Sequence, residues 1–154
     1  MTTTVTNPRL WMACLACSAL SILTACDNPM APERELQFAR WRWAAQHPTS
    51  YSLTVARWCE CLPAWTGPVV VVVRDGQVES RHYVSSGDPV PSALAEGFPT
   101  VEGLFARIDE AMQQHPERLE VDYDPNLGYP VRIAIDYDVG AADDELTYVA
   151  ELRE

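Results

Sequence analysis

The sequence predicts an α+β domain in which two helices pack on one face of a mainly antiparallel sheet of about six strands, in the order α-β-β-β-α-β-β-β. Three observations carry that expectation. Two stretches, residues 33–47 and 101–115, place apolar side chains at helical spacing, and each closes on Gln-His-Pro. Six shorter runs alternate apolar with polar residues or are rich in β-branched ones. Turn signals punctuate them, and Asp75-Gly76 is the sharpest, a two-residue pair that suits a tight hairpin.

In the first helix Leu36, Ala39 and Trp43 share a face, Glu33 and Glu35 favour its N-terminal turn, and Pro48 stops it. The rings of Phe38, Trp41 and Trp43 widen the apolar stripe and read as core packing. Residues 51–61 alternate as a strand with Tyr51, Leu53 and Val55 on one face. Residues 69–74 and 77–84 flank Asp75-Gly76, and five consecutive valines point to a strand covered on both faces. Three prolines and two glycines make residues 85–99 a join between halves. Thr100 then caps a helix that presents Val101, Leu104, Phe105 and Ile108 to the core. Residues 119–124 and 129–138 pair across a turn, with Val121 expected opposite Val131, Leu119 opposite Ile133 and Glu120 opposite Arg132. Residues 146–152 form the last strand. Sliding the sequence on itself superposes the two Gln-His-Pro triplets and Leu36 on Leu104, which raises an internal duplication as an expectation.

Ahead of this domain the chain carries an address. Residues 1–25 join a short polar start bearing Arg9 to an apolar run from Leu10 to Leu23, too short to span a bilayer at the roughly 20 residues required. Leu23-Thr24-Ala25-Cys26 resembles the lipobox of bacterial lipoproteins. The expectation is therefore a removed signal peptide (1–25), a lipidated Cys26 with a short tether (26–32), and a single domain (33–154). The protein would then be held to the cell membrane by an N-terminal acyl anchor on the extracytoplasmic side, in the periplasm or at the cell surface. Cys14 and Cys17, which would otherwise read as a redox or metal pair, leave with the signal.

Composition excludes several functions. The chain has 154 residues, 22 acidic and 11 basic, and a formal charge of −11. Every basic residue is Arg. Such a balance does not fit a phosphate backbone, so no nucleic-acid partner is expected. It also opposes docking on anionic lipid, which leaves the acyl anchor alone to hold the protein to the membrane. No nucleophile–base arrangement, phosphate-cradling glycine loop or zinc spacing is present. The reading is of a non-catalytic protein with no cofactor and no metal. Asp122, Asp124, Asp136, Asp138, Asp143, Asp144 and Glu145 read as a solvated acidic face, and His47 and His115 as helix C-terminal residues suited to the dipole.

Cys59 and Cys61 are the residues with the most chemistry. Export makes a disulfide accessible to them, yet at i and i+2 of a flat strand their Cα atoms stand about 6.6 Å apart, near the limit for bridging. Three readings stand open: a structural disulfide or inert thiols, a labile disulfide with a redox role, and a soft-metal site approached by His82. Trp58 and Trp65 flank the pair and suit a partner-binding loop.

Cys-x-Cys after Tyr51, Arg74-Asp75-Gly76, Thr100-Val101-Glu102-Gly103-Leu104-Phe105, the segment from Tyr123 to Pro130 with Asp124-Pro125-Asn126-Leu127-Gly128-Tyr129 between, and Asp143-Asp144-Glu145-Leu146-Thr147-Tyr148 together resemble the bacterial family catalogued as domain of unknown function 6174. The resemblance spans residues 51–152. It implies a fold and an envelope location, and it carries no activity. Two functions follow as expectations: an envelope domain that binds an unknown envelope protein partner through its sheet face or the loop around Trp58 and Trp65, or an extracytoplasmic thiol protein using Cys59 and Cys61.

Overall fold

A computed structural model describes residue 1 and residues 32–46, 48–141 and 144–153. Cys26, the signal and tether residues 2–31, His47 and Asp143 lie outside the described residues. Helices α1 (Pro32–Gln46) and α2 (Val101–Gln114) accompany strands β1 (Tyr51–Trp58), β2 (Gly67–Arg74), β3 (Gln77–Tyr83), β4 (Arg118–Tyr123), β5 (Pro130–Asp136) and β6 (Glu145–Arg153). The strands form one antiparallel sheet ordered β3-β2-β1-β6-β5-β4. Short 3-10 helices occupy the loops after β1 (Pro63–Trp65) and after β3 (Ser92–Gly97). The fold is α+β.

Burial is one-sided. Tyr51, Leu53 and Val55 of β1, Val69, Val71 and Val73 of β2, Ile133 and Ile135 of β5, and Tyr148 and Ala150 of β6 are buried beneath Leu36, Ala39 and Trp43 of α1 and Leu104, Phe105 and Ile108 of α2. Their neighbours on the opposite pleat keep contact with solvent. The valine run follows the same rule, since Val70 and Val72 are only half-buried, so β2 is not covered on both faces as expected. Its β-branched residues satisfy the pleat on both sides, but helices cover only one.

α1 is seated by two devices. Trp43 Nε1 donates to Glu102 Oε1 (3.0 Å) and the Tyr51 hydroxyl donates to Oε2 (2.7 Å), while the Val101 N–H donates to the Tyr51 oxygen (3.2 Å). Burial pushes the Glu102 carboxyl up, but the hydrogen bonds from Tyr51 and Trp43 outweigh it and hold the group below its ordinary value. Burial, with Glu102 adjacent, raises the Tyr51 phenol. One carboxylate thus joins α1, α2 and β1. The Thr100 hydroxyl accepts from the Gly103 N–H (3.2 Å) and fixes where α2 starts.

The second device is the turn between β4 and β5. Asp124 Oδ1 accepts from the N–H groups of Asn126 (2.9 Å) and Leu127 (2.6 Å), and Gly128 closes the turn at φ +83°. A Cβ on Gly128 would run into the Ala39 carbonyl and sit 2.7 Å from the Arg42 Cβ. Only glycine lets α1 lie on this turn. Arg42 Nη1 then donates to the Pro125 carbonyl (3.0 Å), and Trp43 meets the Tyr129 ring edge-on at 6.1 Å between centroids.

That turn also resets the expected pairing of β4 with β5. Leu119 faces Ile135, Val121 faces Ile133 and Asp122 faces Arg132, with a bulge before Tyr123 reaches Pro130. The offset is two residues, so every side chain keeps its face. Its cause is the capped turn, in which the Asp124 N–H donates to the Tyr129 carbonyl (2.9 Å), with the bulge absorbing the extra residue. The strand order does not support the duplication. A two-fold repeat on one sheet face would place β4 beside β1, and a translated repeat would make β1 and β6 parallel. Instead β6 lies antiparallel beside β1.

Gly128→Ala should cost about 3 kcal/mol of unfolding free energy, from left-handed strain plus the clash with α1. Gly76→Ala, at φ +75° with nothing within 4 Å of the added carbon, should cost about 1 kcal/mol. Urea titration of both variants separates close approach from backbone strain. For Glu102, a lowered folded value gives stability that is present above the unfolded pKa of about 4.3 and lost as pH falls through the folded value. The stability gap between the wild type and Glu102→Gln should hold steady near neutrality and narrow below about pH 4.3, measured by denaturation at successive pH values.

Candidate functional site

β1 stops at Trp58 because the chain turns there. The Cys61 N–H donates to the Cys59 carbonyl (2.8 Å), a three-residue turn that draws the two Cα atoms to 5.3 Å and pairs the cysteines. This replaces the flat strand expected to run through residue 61, in which the pair would stand near the outer limit for bridging. Cys59 is half-buried, and Glu60 and Cys61 are exposed. His82 is not near them. Register sets it opposite Val70, which faces Thr54, five residues back along β1 from Cys59. Its Nδ1 lies 3.2 Å from the Gly87 carbonyl. Among the described residues no group of three or more His, Cys, Asp or Glu is placed to hold a metal ion.

Trp58 and Trp65, adjacent in sequence, part company in space. Trp65 packs on the helix side: the Arg57 guanidinium lies over its ring at 5.2 Å, and the Gly97 backbone lies so close that an added Cβ would be 2.8 Å from the ring carbon Cε3. The Tyr83 hydroxyl donates to the Ala64 carbonyl (2.8 Å) and pins the same short helix. Trp65 therefore holds the loop to Ser92–Gly97. Trp58 falls on the opposite pleat, paired with Thr147 of β6 and 58% exposed.

Trp58 joins the pleat that the helices leave uncovered among the described residues. The centre of that pleat holds the uncharged Thr54 and Ala56 of β1, Val70 and Val72 of β2, Thr147 and Val149 of β6 and Ala134 of β5, with the charged Glu151 of β6 directly beside Thr54 and Arg132 of β5 directly beside Val149. Val149 is 42% exposed. Charges ring this centre on the β4 side: Glu120 accepts from Arg118 (2.8 Å) and Arg132 (3.4 Å), and Asp122 lies 3.7 Å from Arg132. The patch is mainly uncharged, and its charges concentrate toward β4. The sheet face and Trp58, separate candidates in the sequence, form one surface. Val149 went unread there because the inward residues Tyr148 and Ala150 flank it, although its alternation with Thr147 and Glu151 marks the outer pleat.

Three of the remaining acids have local work. Asp124 caps its turn, Asp138 Oδ1 accepts from the Gly140 N–H (2.9 Å), and Glu117 accepts from the Val139 N–H (2.9 Å). Asp136 is buried at the end of β5, with Oδ1 unpaired among the described residues. His115 ends α2 in the left-handed conformation, φ 52°. Two shallow clefts flank the helices, one between Arg81 and Glu110, the other between Glu33 and His115. Thr100 and Arg107 line the first, and Arg40 and Asp109 the second.

The fold is an α+β domain of one six-stranded antiparallel sheet and two helices, with the pleat opposite the buried core exposed among the described residues. The chain belongs to the family of unknown function DUF6174, whose model matches residues 35–153. That span takes in most of α1 as well as the segments that carried the resemblance. No curated protein and no solved structure matches the chain.

A disulfide that closes a three-residue loop removes little chain entropy, about 1–2 kcal/mol. The Cys59→Ser/Cys61→Ser double variant should lose no more than that in urea titration and keep its far-ultraviolet circular dichroism. Trp65→Ala, which unpacks Arg57 and Gly97, should lose about 2–3 kcal/mol.

Proposed function

We propose that this protein is a membrane-anchored, non-catalytic domain of the bacterial cell envelope that binds an envelope protein through its uncovered sheet face. The observation that carries the reading is the mainly uncharged patch of that face, with Trp58 and Val149 exposed on it, in a chain of formal charge −11. Aromatic anchors in an apolar centre supply most of the binding energy at protein interfaces. The lipobox supports Cys26 as the attachment point, and the extracytoplasmic side follows from it. Signal removal after residue 25, the tether 26–32 and the helix-on-sheet domain from residue 33 complete the arrangement. Neither a cofactor nor a nucleic-acid partner belongs to this reading.

One observation favours a second reading. Cys59 and Cys61 are paired at the solvent-exposed end of β1, beside Trp58, where a thiol–disulfide exchange partner could reach them. In that reading the partner on the open face is a redox protein. Counting free thiols by mass spectrometry before and after mild reductant separates the two. A bridge that stays closed and unreactive leaves binding alone.

A photo-cross-linking residue at position 58 or 149 should trap one dominant protein in host cells, and the same residue at Gln113 on α2 should trap none. Equal trapping from all three positions, or none from 58 and 149, contradicts the binding face. Cys26→Ala should leave the membrane fraction, and a variant that still sediments with membranes contradicts the anchor.

A further inference from the structure

The outer face of α1 is exposed. At about 100° per residue, Arg34, Phe38, Trp41 and Ala45 form one stripe opposite the buried Leu36, Ala39 and Trp43. Phe38 is 54% exposed and Trp41 69%, the two largest rings that the helix could have buried and did not. Glu33 and Glu35 fall on the flanks, so this stripe carries Arg34 and no acid. Aromatic rings beside a cation, in a chain otherwise strongly acidic, suit the boundary between phosphate headgroups and acyl chains.

Chain length selects the occupant. Five residues, 27–31, separate Cys26 from Pro32, and an extended chain covers ~3.3–3.6 Å per residue, so α1 begins within about 20 Å of the lipidated sulfur. We infer that the outer face of α1 lies on the phospholipid surface that holds the Cys26 anchor, with Phe38 and Trp41 inserted at headgroup depth and Arg34 against phosphate. This rests on the anchor reading, because without the acyl chains nothing keeps the helix at the bilayer. It revises the expectation that the anchor acts alone: the net charge repels, but the acids lie off the contacting stripe. The open sheet face is on the far side of the domain from α1's outer stripe, so a docked helix layer turns that face toward the aqueous compartment and leaves it free for a partner.

The test uses the full lipidated protein, reconstituted in phosphatidylcholine–phosphatidylglycerol vesicles with or without phospholipid brominated near the headgroup. Tryptophan emission should be quenched by the brominated lipid, and Trp41→Phe should remove most of the quenchable emission, leaving Trp43, Trp58 and Trp65 unaffected. The mass of the N-terminal peptide is read on the same sample. Acylated protein whose emission is unquenched, or quenched equally in Trp41→Phe, overturns the docking while the anchor stands. A protein dimer that shields Trp41 from the lipid overturns it too. An unacylated Cys26 overturns the anchor and the docking together.

Discussion

Two helices of fifteen and fourteen residues can cover only one face of a six-stranded sheet, and everything else in this domain follows from which face that is. The buried pleat carries Leu53, Val55, Val69, Val71, Ile133 and Tyr148, while the other pleat carries threonine, alanine and valine at its centre. Burial of the first set supplies the main stabilisation at ~25 cal/mol per Å² of apolar surface. It also commits the second set to solvent or to a partner. A valine on the open pleat is tolerated because β-branched residues suit a strand whichever way they point.

The helix layer is located by polar chemistry as well as by hydrophobic contact. Apolar packing alone allows a helix to slide and rotate on a sheet, whereas Glu102 demands two donors at fixed places and finds them on Trp43 and Tyr51. A partly buried carboxylate left without these donors is costly, so the network specifies one placement of α1. Gly128 adds a steric condition to the same placement. Several segments through which the chain resembles its family are thereby explained as architecture: Thr100 to Phe105 holds the cap and the carboxylate, and Asp124 to Tyr129 builds the seat for α1. The cysteine pair is different. Its bridge closes too small a loop to hold the fold together, so its chemistry is available for other use.

Much of the fold was legible in the sequence because its signals are local. Helix ends announced themselves through proline, and Asp75-Gly76 announced a hairpin whose φ values of 49° and 75° only such residues adopt readily. What the sequence withheld is non-local. No run of residues states that β6 returns to the centre of the sheet beside β1, and that return is what removes the apparent duplication. The β4–β5 register is set by the capped turn at Asp124 and a bulge before Tyr123, which strand alternation alone does not show. The candidate site divides in the same way. Spacing alone marked Cys59 and Cys61 as a pair, and the place of the turn that brings them together shows only in the fold. The turn also decides that Trp58 faces outward on the sheet while Trp65 packs on Arg57, a separation that seven residues of sequence do not reveal.

On the proposed reading, a partner shields the open face in the envelope. Hydroxyl-radical footprinting, read by mass spectrometry on intact envelopes and on purified protein, tests this most directly. Trp58 and Val149 should react readily in the purified domain and be protected several-fold in the envelope, while the Trp65 ring changes little. Equal reactivity of Trp58 and Val149 in both preparations would contradict the account.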